Sequence, residues 1–132
     1  MSESIVYIDC SEIRAGKLED VKEAIAQLVL FVNEHEPQLI SYGIFIAEDS
    51  STMSVVAVHP DSASMEFHLE IGGPEFRKFA ELIDLRSIDV YGQPGDAVLN
   101  QLQQKAEMLG ENGRVLVHGV VSGFARFPSA RP

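Results

Sequence analysis

The sequence predicts an α+β chain of ferredoxin-like type, with the order strand, helix, strand, strand, helix, strand. Three observations carry this. An apolar, β-branched opening leads at once into a long segment of helical periodicity. Two short β-rich runs then stand on either side of a polar loop, and a second helical segment leads into a fourth β-rich run. A split βαβ order of this kind forms an antiparallel sheet with its helices on one face.

Taken in order, residues 4–13, SIVYIDCSEI, read as the first strand. RAGK turns the chain into a helix over roughly 17–36, where Leu18, Val21, Ala24, Ile25, Leu28, Val29 and Val32 recur at three- and four-residue steps. Glu19, Glu23, Gln27 and Glu34 take its opposite side, and Pro37 stops it. LISYGIFIA (39–47) and MSVVAVH (53–59) read as two strands joined by the polar loop EDSST. Asp61 or Ser62 is placed to cap the next helix, through SMEFHLEI, which Gly72 and Gly73 are expected to interrupt. Pro74 suits the first turn of a new helical piece, PEFRKFAELI, and SIDVYG (87–92) is the fourth strand.

Beyond residue 92 lies an extension of the same domain, residues 93–132, expected to cover a sheet edge or reach across a dimer. Asp96 suits the cap of a helix with Val98, Leu99, Leu102, Ala106 and Leu109 on one face, and Gly110 suits its stop. RVLVHGVVSGFARF is strand-like but broken by Gly119 and Gly123. Both parities of the core strands are apolar: Ile5 and Tyr7 against Val6 and Ile8, then Ile40, Tyr42 and Ile44 against Phe45. Strands apolar on both sides call for a second layer, supplied most economically by another copy of the chain, so a homodimer through the sheet face is expected.

Composition narrows the function. At 132 residues the chain fits one domain able to bury a core. Its net charge of −10, with scattered positive residues, makes nucleic acid and membrane surfaces poor partners. The lone Cys10 forms no internal disulfide and reads as a small buried hydrophobe. Neither a signal peptide nor a membrane-spanning run is visible, and a cytoplasmic setting is expected.

Among candidate chemical groups His68 stands first. On a helical wheel Glu66 and Glu70 fall on one side, while Met65, Phe67, Leu69 and Ile71 form an arc centred near His68. The imidazole therefore points at the sheet, where burial favours its neutral form and a partner is required. It suits either a general base beside an apolar pocket or a core histidine bonded to a backbone carbonyl or a Tyr hydroxyl. Asp9, within an apolar strand, is placed either to orient His68 or His59 or to face water at a strand edge. His59 reads as a pocket-rim residue. Tyr7, Tyr42, Met65 and Phe76 are assigned to the lining, Phe79 to the core, and His35 and His118 to structural roles. No metal or cofactor is expected, since His59, His68 and Asp9 match no short ligand spacing.

The stretch VVAVHPDSASMEFHLEIGGPEFRKF resembles the antibiotic biosynthesis monooxygenase superfamily, whose pattern is carried here by His68-Leu69, Gly72-Gly73, Phe76 and Phe79. RAGKLEDVKEAI and EPQLISYGIF are similar to that family's first strand–helix junction and second strand, so the likeness spans about residues 4–92. Where many members carry Glu and, two residues on, Trp, this chain has Ala57 and His59, and Asp9 stands where some branches have an Asn. The resemblance implies a dimeric α+β barrel with a hydrophobic pocket between each sheet and its own helices. It further implies a cofactor-independent monooxygenase acting on a small phenol, quinol or anthrone, with His68 as base. A small-carbonyl isomerase or lyase, and a ligand-binding or structural dimer without activity, are the alternatives.

Overall fold

In the computed structural model, which describes residues 4–127, the chain runs β1 (Ile5–Ile13), α1 (Leu18–His35), β2 (Ser41–Ile46), β3 (Thr52–His59), α2 (Ser62–Arg77), β4 (Ile83–Tyr91), α3 (Asp96–Leu109) and β5 (Arg114–His118). The first six elements form the expected ferredoxin-like subunit. The sheet order is β2-β3-β1-β4-β5, antiparallel except that β5 joins β4 in parallel. The extension thus covers the β4 edge. No helix among the described residues is long and apolar enough to cross a membrane.

Strand parity decides which face is the core. Ile5, Tyr7, Asp9 and Ser11 of β1 are buried, as are Met53, Val55, Ala57 and His59 of β3, while the alternate residues stay half-exposed. A bulge opposite Cys10 and Ser11 leaves Arg86 as the extra residue, so Leu85 and Ile88 both reach the core face. The buried stripe of α1 (Val21, Ala24, Leu28, Val32) and that of α3 (Val98, Leu102, Ala106, Leu109) cover this face on either side of α2. The other face keeps Val6, Ile8, Val56 and Val58 half-exposed, and Phe45 is 59% exposed.

Four local expectations are corrected. Gly72, Gly73 and Pro74 do not break α2, which is continuous from Ser62 to Arg77. Met65, His68, Leu69, Gly72 and Phe76 form one buried stripe along it, and burying that stripe outweighs the backbone bond that Pro74 forgoes. Gly72 is there to make room, since a Cβ would lie 2.5 Å from Cζ of Phe76. The helical piece expected after Pro74 ends at Arg77, and tight three-residue-step bonds such as Leu82 N–H to the Phe79 carbonyl lead into β4. That strand starts at Ile83 rather than 87, because Ile83 and Leu85 continue the alternation of the buried face. At α3 the cap is Gly95, with Asp96 in the first turn. Asp61 caps α2 as expected, its Oδ1 accepting from Ser64 N–H at 2.8 Å.

Candidate functional site

Strand register builds the floor of the site. Ala57 on β3 pairs with Tyr7 on β1 and with Tyr42 on β2, so two phenols flank one small side chain in a single row. His59 stands one row to one side, opposite Ile5, and Asp9 one row to the other, opposite Val55. Each is on the helix-facing parity, and His59, Asp9 and Tyr7 are 0%, 3% and 3% exposed. The roof comes from three helices: α2 lowers His68 and Phe76, the C-terminal end of α1 delivers Glu36, and α3 delivers Lys105.

Two hydrogen-bonded groups meet here. In the first, His68 Nδ1 lies 2.6 Å from Glu36 Oε2. A carboxylate only accepts, so Nδ1 carries the hydrogen and Nε2 presents a lone pair. Burial holds the His68 pKa below its ordinary value, opposed by the bond to Glu36, so the ring is neutral near pH 7. The ring stands against Tyr42, His59 and Phe76, with centroids 5.3, 5.4 and 5.2 Å away. In the second group Lys105 Nζ donates to Tyr7 Oη (2.9 Å), and Tyr7 donates to Asp9 Oδ2 (2.5 Å). Asp9 Oδ1 accepts from Val55 N–H at 3.3 Å, and Lys105 Nζ lies 3.6 Å from Asp9 Oδ2.

Phe76 joins the two groups, touching His68 on one side and lying 4.2 Å from Lys105 Nζ on the other. The charges are felt across the join. Burial above all, then His68 and Lys105, push His59 down to about 3. Burial also depresses the Lys105 pKa, against the pull of Asp9. It raises both phenols, with Asp9 next in effect at Tyr7 and at Tyr42, so both stay protonated. The arrangement is a neutral histidine base held by a carboxylate, with a cation, a second neutral imidazole and two phenol donors around it. Among the described residues no group of three or more His, Cys, Asp or Glu is arranged to hold a metal ion.

The sequence expectations meet this geometry unevenly. His68, His59, Tyr7, Phe76 and Asp9 come together in one buried cluster with the half-buried Tyr42 at its edge, while Met65 is buried in the core three residues before His68. Asp9 neither faces water nor orients a histidine, because its row lies four β1 residues from that of His59, roughly 13 Å of strand. The orienting carboxylate is Glu36, and the partner of His68 is neither a backbone carbonyl nor a Tyr hydroxyl. The neighbouring cavity, about 350 Å³, lies between α1 and β2 and is lined by Val32, Leu39, Glu36 and Tyr42 among others. Glu36 and Tyr42 are the wall that separates it from His68. A second cleft, about 850 Å³, runs between residues of the strand ends, among them Tyr91 and His118, and the segment holding Phe124 and Phe127.

Glu36 and Lys105 were not among the sequence candidates, yet both carry a signal. Each continues an apolar stripe in phase: Leu28, Val32, Glu36 on α1, and Val98, Leu102, Lys105, Leu109 on α3. His35 and His118 hold structural bonds, to the Phe31 carbonyl and to Asp89.

The fold is shared with solved structures, among them proteins provisionally assigned as antibiotic biosynthesis monooxygenases. The solved structures similar to it include MupZ from Pseudomonas fluorescens, 17% identical over 94% of this chain and 95% of that one, with a TM-score of 0.72. SnoaB from Streptomyces nogalater, a cofactor-independent oxygenase, is 12% identical over 71% of this chain and 96% of its own, with a TM-score of 0.60. A Nitrosomonas europaea protein provisionally assigned as an antibiotic biosynthesis monooxygenase is 16% identical over 72% and 97%, with a TM-score of 0.62. Identities this low speak for the fold alone. No family model matches the chain, and no curated protein matches its sequence.

Proposed function

We propose that the protein is a cofactor-independent monooxygenase for a small phenol, quinol or anthrone. The observation that carries this reading is the buried Glu36–His68 pair, which fixes a neutral imidazole with its Nε2 lone pair free to take a proton. In this reading the substrate enters by the cavity between α1 and β2, and the half-buried Tyr42 turns aside to join it to His68. His68 removes the acidic proton, and the positive charge of Lys105 lowers the energy of the resulting anion in a site closed to water. The anion gives electrons to O2. For an anthrone one oxygen atom becomes the new ketone, and the other leaves as water with the two hydrogens lost from carbon. The likeness of fold to SnoaB supports oxygen as the electron acceptor. Oxygen uptake with a panel of quinols and anthrones tests the reading, and equal rates for the wild type and His68→Ala overturn it.

The Lys105–Tyr7–Asp9 chain favours a second reading, proton transfer on a small carbonyl compound without O2, with Lys105 and Tyr7 as the acidic side. Anaerobic exchange of substrate hydrogen for deuterium without oxygen uptake selects it. If neither occurs, the protein is a ligand-binding or structural module. We also propose that the apolar open face of Val6, Ile8, Val56 and Val58 pairs with that of a second copy.

A further inference from the structure

His59 has one ring nitrogen bound and one bare. Nδ1 lies 2.9 Å from Ser64 Oγ, while Nε2 is buried without a partner among the described residues. The residue is 0% exposed, so an orphaned ring nitrogen here is costly unless something meets it. Gln38 Nε2 donates to Ser64 Oγ at 3.4 Å, which leaves the serine's own hydrogen available to His59 Nδ1. In the tautomer with Nδ1 accepting from Ser64, the hydrogen of the neutral ring resides on Nε2. The relay begins at Gln38, in the loop after α1, and crosses the first turn of α2 to the end of β3.

The bare donor stands beside the base. The His59 and His68 rings are 5.4 Å apart between centroids, and the second buried orphan of the cluster is Glu36 Oε1, on the carboxylate that holds His68. We propose that Nε2–H of His59 binds the substrate oxygen that carries negative charge once His68 has taken the proton, so that the site selects substrates with an ionisable phenol or enol oxygen. The inference rests on the reading of His68 as base and adds the group that receives the charge. A neutral donor suits this place. A protonated His59 beside His68 and Lys105 would add a third cationic partner, whereas a neutral N–H lends a hydrogen bond to an oxyanion.

The test is binding, without turnover. The probe is 4-nitrophenol, whose ionised form is yellow, with 4-nitroanisole as a control of similar shape that cannot ionise. Absorbance titration at a fixed pH gives the affinity and the ionised fraction of the bound phenol. The wild type is expected to bind the phenolate in preference to the anisole. His59→Phe should lose about tenfold or more of that preference, the loss of a hydrogen bond to a charged group. His59→Gln, which restores an N–H donor, should keep most of it. Should His59→Phe fail to fold, Ser64→Ala decides, since it leaves His59 in place without the relay: a reduced preference supports the inference and an unchanged one overturns it. Folded His59→Phe with undiminished phenolate preference overturns the inference and leaves the role of His68 standing. A wild type that binds neither probe overturns both.

Discussion

Glu36 Oε2 accepts from His68 Nδ1 at 2.6 Å across 32 positions of sequence, with His68 4% exposed. The bond ties the end of α1 to the middle of α2 and fixes the tautomer of the histidine that α2 aims at the floor of the site. Glu36→Gln keeps an acceptor for Nδ1 but removes the charge that stabilises an imidazolium. We expect kcat/KM for oxygen uptake to fall about 10²-fold, the ordinary worth of a general base's support. Because the bond to Glu36 opposes the effect of burial on His68, the acidic limb of the pH–rate profile should also move to lower pH.

Lys105→Met tests the second group. It leaves Asp9 buried without its cation, and the expected loss, read by urea denaturation, is about 3–5 kcal/mol. Pairing it with Asp9→Asn removes the stranded charge and should recover most of that loss. If the double variant is no more stable than Lys105→Met alone, the ion pair is not the reason.

Stability should fall with acid in a stated window. The folded pKa of both buried histidines lies below the unfolded value, His59 at about 3. Their stabilising contribution is therefore complete above about pH 6.5 and is lost as pH falls toward the folded values, at up to about 1.4 kcal/mol per pH unit for each group. Urea midpoints between pH 7 and 4 measure this. His59→Gln should flatten the slope, and an unchanged slope would count against a buried neutral His59.

Gly110→Ala probes the docking of α3. The backbone of Gly110 is extended, so conformation is not the constraint. An added Cβ would instead run into the Leu85 carbonyl oxygen. A loss of about 1–3 kcal/mol is expected, with amide exchange in α3 rising more than in α1.

Ile8 and Val56 face each other on the open side of the sheet. Ile8→Asp should convert the proposed dimer to a monomer by light scattering while leaving the far-UV spectrum unchanged. A wild type that is already monomeric would end that proposal.

The relation of site to sequence turns on polar residues that keep an apolar beat. His68 was legible because its neighbours Met65, Leu69 and Ile71 marked an apolar face around it. Lys105 occupies the same phase on α3, but lysines at such positions commonly run their stems along apolar surface and reach water. Only the packing of α3 against α2 and the sheet closes that exit. Gly72-Gly73-Pro74 failed in the opposite sense: local propensity said break, and a continuous buried stripe overruled it.

By itself the sequence determined the order of strands and helices, the centre of each helix's buried stripe, and the position of His68 on the core side, whereas Val29 and Phe67, expected on those faces, are exposed. Period and breakers are local properties and can be read locally. Tertiary structure alone decided that Glu36 holds His68, that Asp9 belongs to Tyr7 and Lys105, and that His59 is left with one bare nitrogen. The reason is physical. A buried polar atom must find its partner among whatever groups the fold brings within about 3 Å, and strand register with helix packing, not spacing along the chain, sets which groups those are.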